Sequence, residues 1–313
     1  MRAVRYTGVG AAAEVTELVD IADPVPAEDE VLVRVGAVGL NPVDVKIRAA
    51  GSDFGPIEYS TLPGWDLAGE VVATGAAVAS LEVGDAVFGL ARFPRAAHTL
   101  AELVAVPAAD LAKAPTSWKV EQQGGAPLAV LTAWHAFEAA GLVGDAAGKR
   151  VLVLGGAGGV GHLAVQVAKA RGAHVIATAS AAKHPTLADL GADETVDYRD
   201  DAALAAIEPV DVVLSTVDDG VPPLGAIREG TAVITITGFP DGAVEALRAA
   251  GATGLDRIMV SADGAALAEV AALADAGRLT VLVDRAFPLE EVVAAQERVE
   301  SGRVTGKVVV TLP

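Results

Sequence analysis

Gly156, Gly158 and Gly161 stand at the spacing G-x-G-x-x-G, at which backbone alone can wrap a phosphate ester. A side-chain-free residue at the first position allows a tight turn. At the second it lets a pyrophosphate approach the main chain, and at the third it lets a helix pack close to a strand. Ala157, Gly159 and Val160 complete the wrap. The flanks make the motif specific. Residues 151–154 form an apolar, β-branched run with the character of a buried strand, residues 160–171 carry helical apolar spacing, and residues 174–178 form a second apolar strand. Strand, glycine turn, helix and strand make one βαβ unit. The helix N-terminus offers free N–H groups and the positive end of its dipole to an anion. In this setting the motif predicts a dinucleotide site.

Sites for NAD usually carry an Asp or Glu about 20 residues further on, at the end of the second strand, to hold the ribose 2′-OH. Here Ala179 and Ser180 occupy that place, Lys183 and His184 follow, and the next carboxylate is Asp189. Ser180 and Lys183 would donate hydrogen bonds and charge to a 2′-phosphate, which a carboxylate would repel. The pattern therefore favours NADP(H). Lys183 also fits a plainer description, a solvated lysine at a helix start.

The elements that must position these residues follow from the rest of the chain. Its 313 residues, 52% of them apolar, suffice for about two domains with their own cores. A formal charge of −18 disfavours nucleic acid and anionic membrane surfaces as partners. There is no cysteine, which excludes disulfides and thiolate metal sites and suits a reducing, cytoplasmic setting. No signal peptide is visible at the N-terminus. The longest apolar stretch, 151–168, is broken by five glycines, so no membrane span is expected.

Residues 1–110 are β-rich, with short apolar runs at 31–35, 69–74, 86–88 and 103–106 between Pro, Gly and Asp turns. From about residue 121 the texture alternates. A helix at 126–140 leads into the βαβ unit, followed by a helix at 186–190 and strands at 195–196, 210–215 and 231–237. This alternation predicts an α/β fold with a doubly wound parallel sheet. The tail carries helices at 265–276 and 289–300 and strands at 280–283 and 307–311. The expected domains are 1–120 with 263–313, and 121–262.

Several motifs together resemble one family. They are Gly-Leu-Asn-Pro-Val-Asp-Val-Lys at 39–46, Pro-Gly-Trp-Asp-Leu-Ala-Gly-Glu-Val at 63–71, Leu-Thr-Ala-Trp at 131–134, the glycine turn, Leu-Gly-Ala-Asp at 190–193, Val-Asp-Tyr-Arg at 196–199 and Gly-Lys-Val-Val-Val at 306–310. The chain resembles, over its whole length, the zinc-free quinone oxidoreductase (zeta-crystallin-like) group of the medium-chain dehydrogenases/reductases. The resemblance implies a GroES-like β-rich catalytic domain made from both chain ends, an inserted Rossmann domain, an active site in the cleft between them, and a homodimer. Zinc-dependent relatives have Cys where Asn41 stands, and His and Glu where Trp65 and Asp66 stand. Zinc needs three protein ligands of the Cys, His or Asp/Glu type. The five histidines, at 98, 135, 162, 174 and 184, show no ligand spacing, so no metal is expected.

Without a Lewis acid, the chemistry that remains is hydride delivery from NADPH to an already electron-poor carbon, that of a quinone or an α,β-unsaturated carbonyl compound. The resemblance places Asn41 beside the nicotinamide ribose or the substrate carbonyl, with Asp44 and Lys46 on the following helical turn. Asn41 before Pro42 equally suits a cap or turn, and Lys46 a surface lysine. Phe54 falls where many relatives carry a tyrosine, with Tyr59 nearby. Phe54, Trp65 and Phe93 are candidates for an apolar slot, or for core packing. On the cofactor side the resemblance puts Thr132 near the nicotinamide, and Ser180, Lys183 and Tyr198 around the 2′-phosphate and adenosine. Tyr198 also suits a half-buried strand end. Val217, Gly238 and Phe239, at the ends of later strands, would flank the nicotinamide. An enoyl-thioester or polyketide-type reductase shares the fold, and a non-catalytic NADPH-binding protein is the remaining alternative.

Overall fold

The computed structural model describes every residue except Asp219; the side chains of Phe54 and Asp256 also lie outside the description. The chain divides into two compact units, Met1–Leu131 with Val260–Pro313, and Thr132–Met259. The first crossing falls at 131/132, whereas composition placed it at 120/121. The reason is packing: the helix Val120–Gly125 lies on strands Glu30–Leu40, Asp66–Thr74 and Lys307–Thr311 of the first unit.

The first unit is built on a seven-stranded sheet. Its path runs Val283–Pro288, Lys307–Thr311, Glu30–Leu40, Asp66–Thr74, Ala86–Leu90, Leu111–Lys113, with Leu103–Pro107 also paired to the long strand Glu30–Leu40. Along that strand Val31, Val33 and Val35 are buried while Arg34 is exposed, the period of two that a half-buried strand requires. Its far end is buried throughout, from Ala37 to Leu40, where it pairs with the closing strand. There Leu40 faces Val308 and Gly39 faces Val309 in antiparallel register. This pairing carries Lys307 to the place where the chain turns at Asn41 into the helix Pro42–Ala50, which starts with proline at its first position. A strand expected at 280–283 instead runs Val283–Pro288, because its partner begins at Lys307 and Val283 is the residue opposite.

The second unit is a six-stranded sheet, every pairing of which is parallel. Spatial order is Glu194–Asp197, His174–Ala179, Arg150–Leu154, Val212–Ser215, Ala232–Thr235, Thr253–Arg257. The first strand in sequence, Arg150–Leu154, thus has the second on one side and the fourth on the other. That reversal is the switch point outside which α/β sheets bind ligands. Leu152, Ile176, Val213, Val233 and Leu247 form its core. The helix Ala243–Ala249 and strand Thr253–Arg257 were not anticipated from the sequence. Among the described residues no helix is long and apolar enough to cross a membrane.

Candidate active site

The glycine turn sits at the switch point. Gly155, one residue before the Gly156 to which the sequence reading gave the tight turn, takes a left-handed backbone position with φ +79°. The neighbouring strand holds the turn: Gly155 N donates to Thr178 Oγ1 at 3.1 Å and Gly156 N to Thr178 O at 2.8 Å. Gly156 is needed for packing, since a Cβ there would lie 2.9 Å from Ala177 Cβ. A Cβ on Gly161 would lie 2.2 Å from Gly155 O, so this residue sets the close approach of the helix Gly161–Ala170 to the turn. A Cβ on Gly158 would meet one neighbouring atom, Gly155 O at 3.3 Å, and otherwise project into open space. Ala157 is buried, and Gly159 and Val160 are half-buried. A turn whose open side is kept clear by the absence of a side chain fits a dinucleotide pyrophosphate.

At the end of the second strand, Ser180 and Lys183 are both half-buried. The register sets Asp197 opposite Ala179. Asp197 Oδ2 accepts from Ala181 N at 3.1 Å, and Oδ1 from Arg199 N at 3.0 Å. The Arg199 N–H holds the Asp197 carboxyl below its ordinary value, with the Ala181 N–H and the Arg199 charge acting in the same direction. Tyr198 is exposed; its hydroxyl accepts from Arg199 Nη2 at 3.0 Å, and the guanidinium lies 5.0 Å from the ring centre. Arg199 and Asp197 were missed as site residues. Their strand is separated in sequence from the glycine turn, and only the parallel pairing brings them to the end of Ala179.

Val217 also reaches the turn: a Cβ on Gly155 would lie 2.5 Å from Val217 Cγ1. Thr237 Oγ1 donates to Val217 O at 3.1 Å, and Thr235 Oγ1 donates to Gly238 O at 3.1 Å. Val217 and Gly238 are thus tied to neighbouring strand ends. Phe239 packs against the sheet core. Thr132 is buried in the helix Pro127–Ala139.

The first unit brings together a buried polar cluster. Asn41 N donates to Asp44 Oδ2 at 2.8 Å, Asn41 Nδ2 to Asp66 Oδ2 at 2.9 Å, and Lys307 Nζ to Asn41 Oδ1. Leu128 N donates to Asp66 Oδ1 at 2.6 Å, and Lys307 Nζ lies 3.6 Å from Asp66 Oδ2. Asn41, Asp44, Asp66 and Lys307 are all at most 3% exposed. Burial pushes the Asp44 carboxyl up to about 7 and that of Asp66 up to about 6, while the Lys307 charge opposes both shifts. Burial likewise pushes the Lys307 ammonium below its ordinary value.

Of the other sequence candidates, Lys46 is exposed on the helix Pro42–Ala50. Phe54 closes a short turn, Gly51–Phe54, and its side chain lies outside the described residues. Trp65 is buried, donates Nε1 to Arg95 O at 2.7 Å, and meets Phe93 edge-on with ring centres 5.3 Å apart. The zinc positions do not fit a metal. One is an amide already shared by Lys307 and Asp66, one is an indole, and among the described residues no group of three or more His, Cys, Asp or Glu could hold an ion.

Comparison with known proteins agrees with this architecture. Residues 27–116 match the alcohol dehydrogenase GroES-like domain and residues 190–310 the zinc-binding dehydrogenase domain. The chain is 34% identical to a 2-methylene-furan-3-one reductase of Solanum lycopersicum, over 99% of this chain and 79% of that protein. It is 36% identical to an NADPH-dependent alkenal/one oxidoreductase, chloroplastic, of Arabidopsis thaliana, over 93% of this chain and 74% of that one. The solved quinone oxidoreductase of Coxiella burnetii superposes with a TM-score of 0.86 at 31% identity, covering 100% of this chain and 99% of that one. The fold and site define a two-domain α/β oxidoreductase of GroES-like and Rossmann type. The chain belongs to the zinc-free quinone oxidoreductase family of the medium-chain dehydrogenases/reductases.

Proposed function

We propose that this protein is an NADPH-dependent reductase that passes a hydride, without zinc, to a quinone or an α,β-unsaturated carbonyl compound. The observation that carries the reading is the end of the His174–Ala179 strand. Ser180 and Lys183 offer a hydroxyl and a cation there, while Asp197 spends both carboxylate oxygens on backbone N–H groups. Those bonds turn the Asp197 carboxylate toward residues 181 and 199, and Ser180 and Lys183 are the donors that suit a phosphate monoester. The relatives named for NADPH, alkenals and quinones support the same reading.

When bound, NADPH supplies the hydride. The chain's own residues bind and orient. Backbone N–H groups of the turn would hold the pyrophosphate, apart from those of Gly156 and Gly158, which are used on Thr178 O and Gly155 O. Ser180, Lys183, Tyr198 and Arg199 hold the adenosine end, and Thr132, Val217 and Gly238 border the nicotinamide. Asn41 has both amide hydrogens turned inward, to Asp66 and, at 3.4 Å, to Gly39 O. With Lys307 on Oδ1, the valence that remains is one acceptor lone pair. That suits a ribose hydroxyl and not a substrate carbonyl. A homodimer in a reducing, cytoplasmic setting belongs to the same reading, the dimer from family resemblance and the setting from the absence of cysteine.

The test follows NADPH and NADH oxidation with 1,4-benzoquinone and 3-buten-2-one as acceptors. Turnover with either acceptor, faster with NADPH, supports the function. Tight NADPH binding with no oxidation would make this a non-catalytic NADPH-binding protein.

A further inference from the structure

The buried cluster of the first unit is unbalanced. When ionised, Asp44 and Asp66 carry two negative charges against the single ammonium of Lys307. Ions in such a site must be paired and hydrogen-bonded or change their protonation. Asp66 is fully engaged: Oδ1 takes the Leu128 N–H, and Oδ2 takes Asn41 Nδ2 with Lys307 at 3.6 Å. Asp44 is not. Its Oδ2 accepts from Asn41 N, but Oδ1 is buried without a hydrogen-bond partner. The Tyr6 hydroxyl is likewise buried with no partner at ordinary hydrogen-bond distance, the Gln296 side chain interacting with it from further off, and Tyr6 and Asp44 line one cavity of ≈ 10 Å³, with Ser60, Gly64 and Trp65 around it. That is room for about one water molecule.

The groups that face Asp44 come from every neighbouring element. Tyr6 stands on the first strand, Asp66 on the strand Asp66–Thr74, Lys307 on the closing strand, and Asn41 at the head of Asp44's own helix. Arg48, one turn along that helix, is spent on Glu300, Gln296 and Gly10 O. Lys307 is therefore the cation that this cluster shares. It touches the Asn41 amide oxygen, lies beside Asp66 and is close enough to Asp44 to bias its ionisation.

We propose that Lys307 is a positioning residue: it fixes the Asn41 amide against Asp66 and, by balancing only one of two carboxylates, makes Asp44 the member of the cluster that gains and loses a proton. The kinetic consequence rests on the reductase function proposed above; the protonation behaviour does not. Uptake of a proton at Asp44 Oδ1 brings the cluster to zero net charge and gives that oxygen a donor to direct at the cavity it shares with Tyr6. Loss of the proton leaves an uncompensated negative charge beside the Asn41 main chain.

The experiment uses the full chain, with aspartate carboxyl carbons labelled and Asp44→Asn assigning the Asp44 resonance by its disappearance. The Asp44 midpoint is read by NMR in the wild type, in Lys307→Met and in Asp66→Asn. Losing the cation should raise the midpoint and losing the competing carboxylate should lower it, each by about one pH unit or more. Opposite displacements are a signature that a packing defect does not produce. The inflection in kcat/KM for benzoquinone should move in the same two directions. A cooperative thermal unfolding transition reports that each variant folds.

A midpoint that stays put, or moves the same way in both variants while both still unfold cooperatively, overturns the proposal. Displaced midpoints with an unmoved kinetic profile overturn the positioning role. If Lys307→Met does not fold, the downward displacement in Asp66→Asn still decides. If the wild type reduces no acceptor, the proposed function fails, and the NMR midpoints judge the cluster by themselves.

Discussion

Gly161 and Gly155 are fitted to each other: a Cβ on Gly161 would come within 2.2 Å of the Gly155 carbonyl oxygen. The helix can start where it does, with its N-terminus behind the turn, because that position has no side chain. Gly161→Ala should push the helix off the turn, cost about 1–3 kcal/mol of stability, and weaken NADPH binding. Thermal unfolding and a fluorescence titration with NADPH check this. Wild-type values in both would contradict the close approach.

Lys183 is half-buried beside Ser180, at the end of the second parallel strand. Lys183→Ala should lower the ratio of NADPH to NADH affinity roughly 10-fold or more, a loss on the order of 1.5–3 kcal/mol for a charge-assisted contact. The measurement is a pair of titrations, one per nucleotide. An unchanged ratio would remove Lys183 from the 2′-phosphate site and shift attention to Arg199.

Asp44 and Asp66 make folding depend on pH in a defined direction. Both carboxyls are raised from 3.8, to about 7 and about 6, mainly by burial. Between those limits the folded chain binds more protons than the unfolded one, so the contribution of these groups to stability falls as pH rises. Asp44→Asn keeps an acceptor for Asn41 N and abolishes the charge. Its melting temperature should exceed that of the wild type above about pH 7, with the gain shrinking toward about pH 4. A difference independent of pH would mean that Asp44 does not titrate in this window.

Trp65 joins two loops of the first unit through its 2.7 Å bond to Arg95 O and its edge contact with Phe93. Trp65→Phe removes the donor and leaves that carbonyl without it, which should cost about 0.5–1.5 kcal/mol in urea unfolding. An unchanged midpoint would show that the bond contributes nothing.

The sequence made the second unit legible because its information is local. The glycine turn, the flanking strands and the helix fall within residues 151–180, where composition and period specify each element. Local spacing gave the tight turn to Gly156 and did not show that Gly155 beside it takes the left-handed backbone position. Ser180 and Lys183 were visible because the departure from an acid at the strand end is itself a signal. Asp197 and Arg199 were not, because their relevance depends on the parallel register of Asp197 with Ala179.

The first unit's cluster was the least legible part. Asn41 and Asp44 lie three residues apart and could be read together, but Lys307 meets Asn41 across 266 residues of sequence. In the sequence it is one more lysine on a closing strand. Nothing short of the pairing of Leu40 with Val308 reveals that it is buried. Asp66 was noticed only as a place where zinc relatives differ, whereas the fold uses it to hold Leu128 N and Asn41 Nδ2.

The most direct test of the central claim is a single turnover with NADPH deuterated at the transferring position of the nicotinamide, using 3-buten-2-one as acceptor and mass spectrometry of the product. One deuterium is expected in the saturated ketone, at the carbon β to the carbonyl. Saturated ketone without deuterium, or bound NADPH that leaves the enone unreduced when quinone is also unreactive, would contradict hydride transfer by this protein.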